Sequence, residues 1–283
     1  MIDWERDLEH FLWELNEGFT EIASLLMIKT WKLASHSLLI HSVSLSGLSS
    51  DWLENIFLPF QTEILTNPSG MKHVFVWEDV WRTKTDIVKS RLRALLGKTH
   101  RIPARLTQVR RIDQPTLTAF LEANHLQVPT FGKFKYGLFL PNRYYRVLAA
   151  QDKIRTDEEL LVAVASFSGA KKITRNHEVY RSFELIRFAN LLNYTVVGGV
   201  DKLLKAFIKE MNPDDIMTYA DRDWSNGESY ERLGFLFQNA TPPQDFWVDS
   251  LTFERHYDKK ENDIKVYNSG NLKYLLDVKK NRK

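Results

Sequence analysis

Residues 182–235 read SFELIRFANLLNYTVVGGVDKLLKAFIKEMNPDDIMTYADRDWSNGESYERLGF. The pattern predicts a strand, a glycine turn, a helix, a second strand, a polar turn and a second helix. Strands that alternate with helices are typical of an α/β layer. This stretch therefore predicts an α/β (α+β) fold with a sheet flanked by helices, and its two turns contain most of the candidate functional residues.

The glycine turn places Gly198 and Gly199 directly before an amphipathic helix. Glycines at a helix entry expose backbone N–H groups, and the positive end of the helix dipole favours a phosphate there. Lys202 lies in the first turn of the helix, where a cation is unfavourable unless an anion binds nearby. Two interpretations stay open, a phosphate-binding turn and a simple tight turn with a solvated lysine.

Three charged residues of the two strands are further candidates. Alternation along the first strand places Glu184 and Arg187 on opposite faces. A charged residue inside a strand is costly unless it is paired or functional, so Glu184 is either a general base or a structural partner. Asp221 ends the second strand, where ligands of α/β proteins commonly bind.

The strand–glycine–helix unit and the segment YADRDWSNGESYERLGF together resemble the C-terminal half of GNAT-type N-acetyltransferases. The resemblance implies a mixed sheet that is splayed at its centre, with acetyl-CoA or another acyl-CoA in the gap. It places the pyrophosphate loop at residues 195–200, although Thr195 replaces the usual Gln or Arg. The implied cofactor contacts are Val197, Gly198, Gly199, Val200, Lys202 and Asn226.

The resemblance also implies catalytic roles. It places Tyr230 on the helix whose tyrosine protonates the departing thiolate, and a phenol near a thiolate is chemically suited to that role. Glu184 or Asp221 would then accept the proton of the attacking amine. The alternative for Tyr230 is a core tyrosine whose hydroxyl is hydrogen-bonded within the protein.

A narrower resemblance covers residues 104–250. ELIRFA, VVGGVDKLLKAFI, YADRDWSNGESYERLGF and the NHLQ near residue 125 occur in the order found in GNAT-like domains of phage homing-endonuclease-type proteins. The YAD…G..Y pattern is also similar to Mom-type phage proteins, which modify DNA bases. Upstream, HVFVWEDVWRTKTDIVKSRLRALLGKTHRIPAR resembles the last strand and helix of very-short-patch-repair-type nucleases, here as a remnant. These resemblances imply a phage or mobile-element origin.

Charge is distributed unevenly along the chain. Residues 82–111 contain ten Lys or Arg and one acid, Asp86, so this segment has a charge of +9 while the whole chain has +3 and the remainder −6. Such a stripe indicates either a polyanion partner or a solvated helix and loop. The candidate DNA contacts are Arg82, Lys84, Lys89, Arg91, Arg93, Arg101 and Arg105.

The composition excludes several kinds of site and predicts where the protein is located. The 283 residues contain no cysteine, which excludes disulfides, thiolate metal sites and cysteine nucleophiles. No apolar run reaches the roughly 20 residues that span a bilayer, and the acidic N-terminus is unlike a signal peptide, so we expect a cytoplasmic protein without a membrane partner. The eight tryptophans are compatible with a packed core or with stacking surfaces.

Hydrophobic periodicity predicts the elements of the remaining chain. It favours one or two helices over residues 3–33, a strand at 36–45, a hairpin of strands at 136–140 and 144–150, and edge strands after residue 249. A helix from Arg82 should end at Gly97, and Asp113 before Pro115 favours the start of another helix. Residues 160–170 predict a strand that is followed by a basic turn after Gly169. We expect a smaller N-terminal helical and α/β domain at 1–100, a GNAT-like domain at 104–250 and an extension at 251–283. The predicted function is acyl-CoA-dependent N-acyl transfer, to a nucleic acid or another amine. The alternative is a non-catalytic DNA-binding accessory protein with the same fold.

Overall fold

A computed structural model describes residues 3–25, 27–33, 36–66, 70–152, 159–175 and 177–280. The α-helices are α1 (Trp4–Glu14), α2 (Ser50–Trp52), α3 (Leu58–Thr66), α4 (Glu78–Leu95), α5 (Gln114–Asn124), α6 (Gly199–Met211) and α7 (Glu228–Glu231). The strands of the first part are β1 (Phe19–Leu25), β2 (Ile28–Leu33), β3 (Leu38–Val43), β4 (Lys72–Trp77), β5 (His100–Pro103), β6 (Gln108–Arg111), β7 (Phe134–Leu140) and β8 (Leu160–Phe167). Those of the second part are β9 (Lys171–Arg175), β10 (Glu178–Asn190), β11 (Tyr194–Val197), β12 (Asp215–Asp221), β13 (Leu236–Ala240), β14 (Asp245–Val248), β15 (Arg255–His256), β16 (Ile264–Tyr267) and β17 (Asn271–Asp277).

The chain divides into two units, each assembled from separate stretches. Unit 1 comprises residues 1–89, 220–228 and 239–273, and unit 2 comprises residues 90–219, 229–238 and 274–283. Each unit is therefore discontinuous in the sequence. The contiguous domain ranges predicted from the sequence stay a prediction.

Unit 1 contains a sheet with the order β1-β2-β3-β4, antiparallel except for the parallel pair β3–β4. The parallel pair requires a crossover, which α2, a π-helical turn (Leu53–Phe57) and α3 provide. Six of the eight tryptophans are buried in this unit, including Trp31 and Trp77. Because large aromatic side chains dominate core burial, most of the tryptophans stabilise the fold and do not form a stacking surface.

The largest sheet has the order β13-β17-β12-β10-β8-β7-β6, and β9 pairs with the first five residues of β10, 178–182. Strands β6, β7, β8 and β10 are antiparallel neighbours, whereas β10 and β12 are parallel, so the sheet is mixed. On one face α6 inserts Phe207, whose ring stacks on Phe167 at 3.9 Å and meets the edge of Phe183 at 5.2 Å. The buried side chains of α5, Leu117 and Leu121 among them, pack against β8 and β10.

Several predicted elements are confirmed. Asp113 caps α5 by accepting a hydrogen bond from Thr116 N at 2.9 Å, as its position before Pro115 suggested. The helix predicted to end near Gly97 does so, and this glycine has the left-handed φ of +70° that a helix C-terminus favours. The buried strand predicted at 160–170 is β8.

Other predicted elements are wrong. The helical pattern over 3–33 ends at Glu14, and the chain then forms β1 and β2, which pair with each other while β2 also pairs with β3. Residue 26 of that pattern lies outside the described residues. The strand predicted at 144–150 is replaced by a 3₁₀ helix (Asn142–Val147). The predicted turn after Gly169 contains β9. Of the strands after residue 249, β15 and β16 are edge strands of a three-stranded sheet, as predicted, whereas β17 lies inside the large sheet.

Within the part of the chain that the structure describes, no helix combines the length and the apolar character needed to cross a membrane.

Candidate active site

The large sheet opens between β10 and β12. These parallel strands pair over four positions only, from Ser182 with Asp215 to Leu185 with Thr218. Both strands continue beyond that point, to Asn190 and Asp221, but β10 then pairs only with β8. The prediction of a mixed sheet splayed at its centre, flanked by helices, is therefore confirmed by the strand pairing.

A β-bulge lies at the point where the splay begins. The register of β10 against β8 shifts between Leu185, opposite Phe167, and Arg187, opposite Ser166. Since Phe167 and Ser166 are consecutive and face opposite sides of the sheet, Leu185 and Arg187 also face opposite sides. The prediction that alternation separates Glu184 from Arg187 is wrong, because the extra residue of the bulge, Ile186, places both on the same face.

A short hydrogen-bond chain closes the vertex of the splay, which we define by Leu185, Thr218 and Tyr230. Thr218 Oγ1 donates to the carbonyl oxygen of Leu185 at 3.0 Å, across the last paired position. The Tyr230 hydroxyl is hydrogen-bonded to the Thr218 side chain. Because the hydroxyl proton of Thr218 is used on Leu185, its oxygen is left to accept from Tyr230.

The surroundings of Tyr230 favour its neutral form and place cations beside it. Burial raises the pKa of the Tyr230 phenol, while the guanidinium groups of Arg91 and Arg187 act in the opposite direction. The ring packs against Phe235 at 5.6 Å and Tyr274 at 5.9 Å. The phenol is therefore protonated at neutral pH, and the two guanidinium groups would act favourably on a negative charge that develops on it.

Glu184 lies on the face of β10 opposite Leu185. Its backbone N–H donates to Ser168 Oγ at 2.9 Å, and its carbonyl accepts from Ser168 N, so Ser168 fixes the strand at this residue. Its carboxylate contributes to the raised pKa of Tyr219, for which burial is the larger cause. Glu184 is half-buried and Tyr219 is exposed, so this carboxylate is accessible from solvent on its face of the sheet.

Asp221 and Asn226 belong to unit 1. Asp221 Oδ1 accepts from Asp223 N at 3.0 Å and its carbonyl accepts from Trp224 N, so its oxygens hold the turn after β12. Asn226 is exposed, and its side-chain amide donates to Glu228 Oε1 at 2.6 Å. Both residues have local roles in the polar turn, and the chemical roles that the resemblance implies for them stay predictions.

Beyond Asp221, unit 1 contains a buried acid–arginine cluster, made of Asp79, Asp223, Arg255 and Ser269. Arg255 binds both carboxylate oxygens of Asp79, one of them at 3.0 Å. Asp223 Oδ1 accepts from the backbone N–H of Ser269 at 2.9 Å and from its hydroxyl. Burial, followed by the negative charge of Asp221, raises the pKa of the Asp223 carboxyl to about 7.

The glycine turn has the backbone that its sequence suggested. Gly198 is exposed, has a φ of +78° and precedes α6 without a side-chain cap. Gly199 is buried, and a Cβ there would lie 3.1 Å from Val196 and 3.4 Å from Leu138. Val197 is 42% exposed, whereas Val200 is half-buried. The first N–H groups of α6 are thus left without a side-chain acceptor at its N-cap.

Lys202 has partners in the folded chain. Its ammonium donates to the carbonyl oxygens of Ala104, at 2.8 Å, and of Thr107. Burial lowers the pKa of this lysine. Since two carbonyls occupy its donors, Lys202 fixes the turn that joins β5 and β6, a role that its sequence position did not indicate.

The seven predicted DNA contacts differ in exposure. Arg101 and Arg105 are exposed, and the other five are half-buried. Arg82 donates to Glu78 at 2.8 Å, and Lys89 lies 3.6 Å from Asp7. Arg91 lies near Tyr230, as described above. Much of the basic stripe therefore takes part in interactions inside the protein.

Sequence reasoning missed two residues of the vertex. Thr218 is an ordinary β-branched residue of a predicted strand, and nothing in the local pattern marks its hydroxyl as a partner for Tyr230. Arg91 was counted as a phosphate contact, although it acts on a residue 139 positions further along the chain. Only the tertiary fold brings these side chains together.

No protein-family model matches the chain, and the search of curated proteins gave no match. Several solved structures are similar. The Escherichia coli ribosomal-protein-S18-alanine N-acetyltransferase is 13% identical, covers 61% of this chain and 94% of its own, and has a TM-score of 0.36. A Bacillus subtilis acetyltransferase in complex with CoA is 16% identical over 61% of this chain and 99% of its own, with a TM-score of 0.33. The Vibrio fischeri ribosomal-protein-S5-alanine acetyltransferase is 14% identical over 61% and 94%, with a TM-score of 0.34. At such low TM-scores the fold class rests on the strand topology of this chain.

Proposed function

We propose that the protein is an N-acyltransferase that uses an acyl-CoA thioester and works at the vertex of the splay. The observation that supports this most directly is the half-buried Tyr230, whose phenol has a raised pKa and is hydrogen-bonded to Thr218 where β10 and β12 part. A proton donor flanked by Arg91 and Arg187 is suited to a leaving group that departs as an anion.

The residues present fit an acyl-CoA in part. The gap after Leu185 and Thr218 separates two strands that continue without pairing, and the uncapped N-terminus of α6 presents backbone N–H groups suited to a phosphate. Lys202 does not fit as a phosphate ligand, because its ammonium is bound to Ala104 and Thr107. We therefore assign the diphosphate to the backbone around Gly198 and Gly199.

Two residues, Glu184 and Tyr230, account for the two proton transfers of the proposed reaction. When bound, the thioester supplies an acyl group that an amine can attack. Glu184 accepts the proton that the amine nitrogen loses as its bond to the acyl carbon forms. Tyr230 gives its proton to the sulfur as the carbon–sulfur bond breaks, and Arg91 and Arg187 stabilise the charge on the phenolate until it is reprotonated.

The acyl group needs an acceptor with a nucleophilic amine. We propose a nucleic acid base or another amine as the acceptor, in keeping with the similarity to Mom-type proteins. The alternative, a non-catalytic DNA-binding module of phage or mobile-element origin, would use the exposed Arg101 and Arg105 of the 82–111 segment. Asp221 remains proposed as the alternative general base, and Asn226 as a cofactor contact.

The test is binding and turnover of acetyl-CoA by the full chain. A ligand that binds only the native state stabilises it by about 2.7 kcal/mol at 100 times its Kd, so we expect a concentration-dependent rise in the melting temperature. ATP at the same concentration controls for general anion binding. We also expect release of the free CoA thiol when amines or an adenine-containing oligonucleotide are added. If acetyl-CoA caused no rise in melting temperature and released no thiol, the proposal would be wrong.

A further inference from the structure

Strand β9 forms an open and basic edge of unit 2. It pairs with β10 from Lys171, opposite Ser182, to Arg175, and among the described strands it has no second partner. Lys171 and Lys172 are both exposed. Within the described part of the chain, neither ammonium group has a hydrogen bond or an ion pair. Two neighbouring cations are therefore available to a partner in solution.

The acids of the β9–β10 hairpin are bound by other cations. Glu178 accepts from the ammonium of Lys279 at 2.8 Å. Asp215, which is buried beside the start of β10, is paired with Arg175. These two carboxylates therefore do not balance the charge of the two exposed lysines.

Lys172 also lies directly opposite another cation. Its partner in the β9–β10 ladder is Arg181, an exposed residue whose guanidinium lies 5.2 Å from the ring centre of Phe183. The carboxylate of Asp214 is close to this pair, but it accepts from the backbone N–H of Arg181 at 2.7 Å. Like charges directly opposite each other in a sheet are destabilising. An anion bound between these two side chains would offset their repulsion.

The segment before β7 adds a third exposed lysine and an aromatic ring to this edge. A Cβ on Gly169 would lie 3.3 Å from Lys133 Cδ, so the lysine side chain crosses the chain two residues before Lys171. Phe131 is 74% exposed, and the ammonium of Lys135 lies 5.2 Å from its ring centre. An exposed ring beside cations offers a stacking face for a nucleobase. We define the basic edge by Phe131, Lys133, Lys171 and Lys172.

The basic edge is continuous with the face of β10 that carries Glu184. Lys171 and Ser182 are opposite each other in the ladder, so their side chains lie on one face of the sheet. Glu184 is two residues further along β10 and precedes the bulge, so it lies on that face as well. Diagonal neighbours of this kind are about 7–8 Å apart. A polymer bound along the basic edge would therefore bring one of its units close to the Glu184 carboxylate.

We infer that the basic edge binds single-stranded nucleic acid and brings a base to Glu184, an inference that rests on the proposed function for the role of Glu184. The lysines contact phosphates, and Phe131 stacks on a base. Duplex DNA presents phosphates too, but its bases are already stacked on each other and cannot use the ring. The exposed Phe131 therefore favours a single strand.

Fluorescence anisotropy of the full chain with a fluorescein-labelled single-stranded DNA of about 12 nucleotides measures this binding. We expect saturable binding at about 50 mM salt and a lower affinity as the salt concentration rises. Lys171→Met/Lys172→Met should weaken binding at least about tenfold and reduce the slope of log K against log salt by about 1.4, the value for two phosphate contacts.

Phe131→Ala should weaken binding of the single strand by about five- to 100-fold and leave the salt slope unchanged, because it removes stacking and no charge. The same variant should bind the annealed duplex as tightly as the wild type does. All three substituted side chains are exposed, and circular dichroism checks that the variants fold.

The matched control is Arg101→Met/Arg105→Met, which also removes two exposed positive charges, here from the 82–111 segment. It should retain most of the wild-type affinity. Three results would overturn the inference. These are no binding of the single strand at up to about 100 µM protein, equal losses for the lysine and arginine variants, and an unchanged single-strand affinity of Phe131→Ala. The assay contains no acetyl-CoA, so its outcome does not depend on whether the protein transfers an acyl group.

Discussion

The vertex of the splay and the acid–arginine cluster each bury an ionisable group, but the partners of these groups differ. Tyr230 has one hydrogen-bond partner in Thr218 and two cations, Arg91 and Arg187, beside it. Asp223 is bound by the backbone and hydroxyl of Ser269, in a cluster where Arg255 is bound to both oxygens of Asp79. The first environment suits a group that releases a proton, and the second suits groups that hold segments of unit 1 together.

This difference shows that a shifted pKa is a weak indicator of function by itself. Burial raises the pKa of Tyr230 and also that of Asp223. Structural networks shift ionisable groups as readily as active sites do. What separates the two regions is the charge that acts most strongly on each group, a guanidinium for Tyr230 and a carboxylate for Asp223, and three experiments examine this separation.

The largest effect is expected for Tyr230→Phe. If Tyr230 supplies the proton to the leaving group, kcat should fall by about 10²–10⁴-fold, the usual contribution of a positioned acid. The free energy of unfolding should fall by only about 1 kcal/mol, for the lost hydrogen bond to Thr218. Steady-state kinetics with acetyl-CoA and urea unfolding measure the two quantities.

Tyr274→Phe is the matched control, because this neighbouring hydroxyl donates to Glu231 at 3.0 Å and not to the vertex. Its kcat should equal that of the wild type. A Tyr230→Phe variant with unchanged kcat would show that the vertex resembles the cluster in being structural.

Arg255→Met should have the second largest effect, on stability. The substitution leaves Asp79, whose side chain is 1% exposed, without its bidentate partner. Removing one member of a buried ion pair costs about 3–5 kcal/mol, because the remaining charge stays buried and uncompensated. Urea unfolding measures this change.

The control for Arg255→Met is Lys205→Met, which breaks the exposed Lys205–Asp201 pair and should cost at most about 1 kcal/mol. Similar losses for the two variants would mean that the acid–arginine cluster does not hold unit 1 together.

The smallest effect is a pH dependence that Asp223→Asn should remove. The folded-state pKa of Asp223 is raised from 3.8 to about 7, so the folded protein binds this proton more tightly than the unfolded chain. The stabilisation by this group is complete below the unfolded pKa and is lost as the pH rises through about 7. Unfolding free energies between about pH 5 and pH 8 should therefore fall more steeply in the wild type than in Asp223→Asn. Parallel pH profiles for the two proteins would show that Asp223 is ionised throughout this range.

The local elements were largely predictable from the sequence. The cap at Asp113, the C-terminal glycine of α4, the glycine entry to α6 and the strands β8, β10 and β12 follow from short-range preferences that act within a few residues. The helix prediction failed at residues 19–33, where the apolar spacing of three and four is helical but antiparallel pairing of β2 with β1 and β3 forms strands instead.

The candidate site was only half predictable. Tyr230, Glu184 and the glycine turn come from motif and position, so the sequence alone identified them. Tertiary contacts decided what surrounds them, because hydrogen bonds and charges act between residues that are distant in the chain. The bulge at Ile186 moved Arg187 to the face of Glu184, and folding placed Arg91 beside Tyr230 and bound Lys202 to Ala104.

The sequence by itself therefore determined the class of the fold and singled out Tyr230 as a candidate. The tertiary structure alone decided which cations act on Tyr230 and which hold the backbone. The physical reason is range, since turns, caps and periodicity are settled within one or two turns of chain, whereas a pKa or an ion pair depends on whatever the fold packs within a few ångströms.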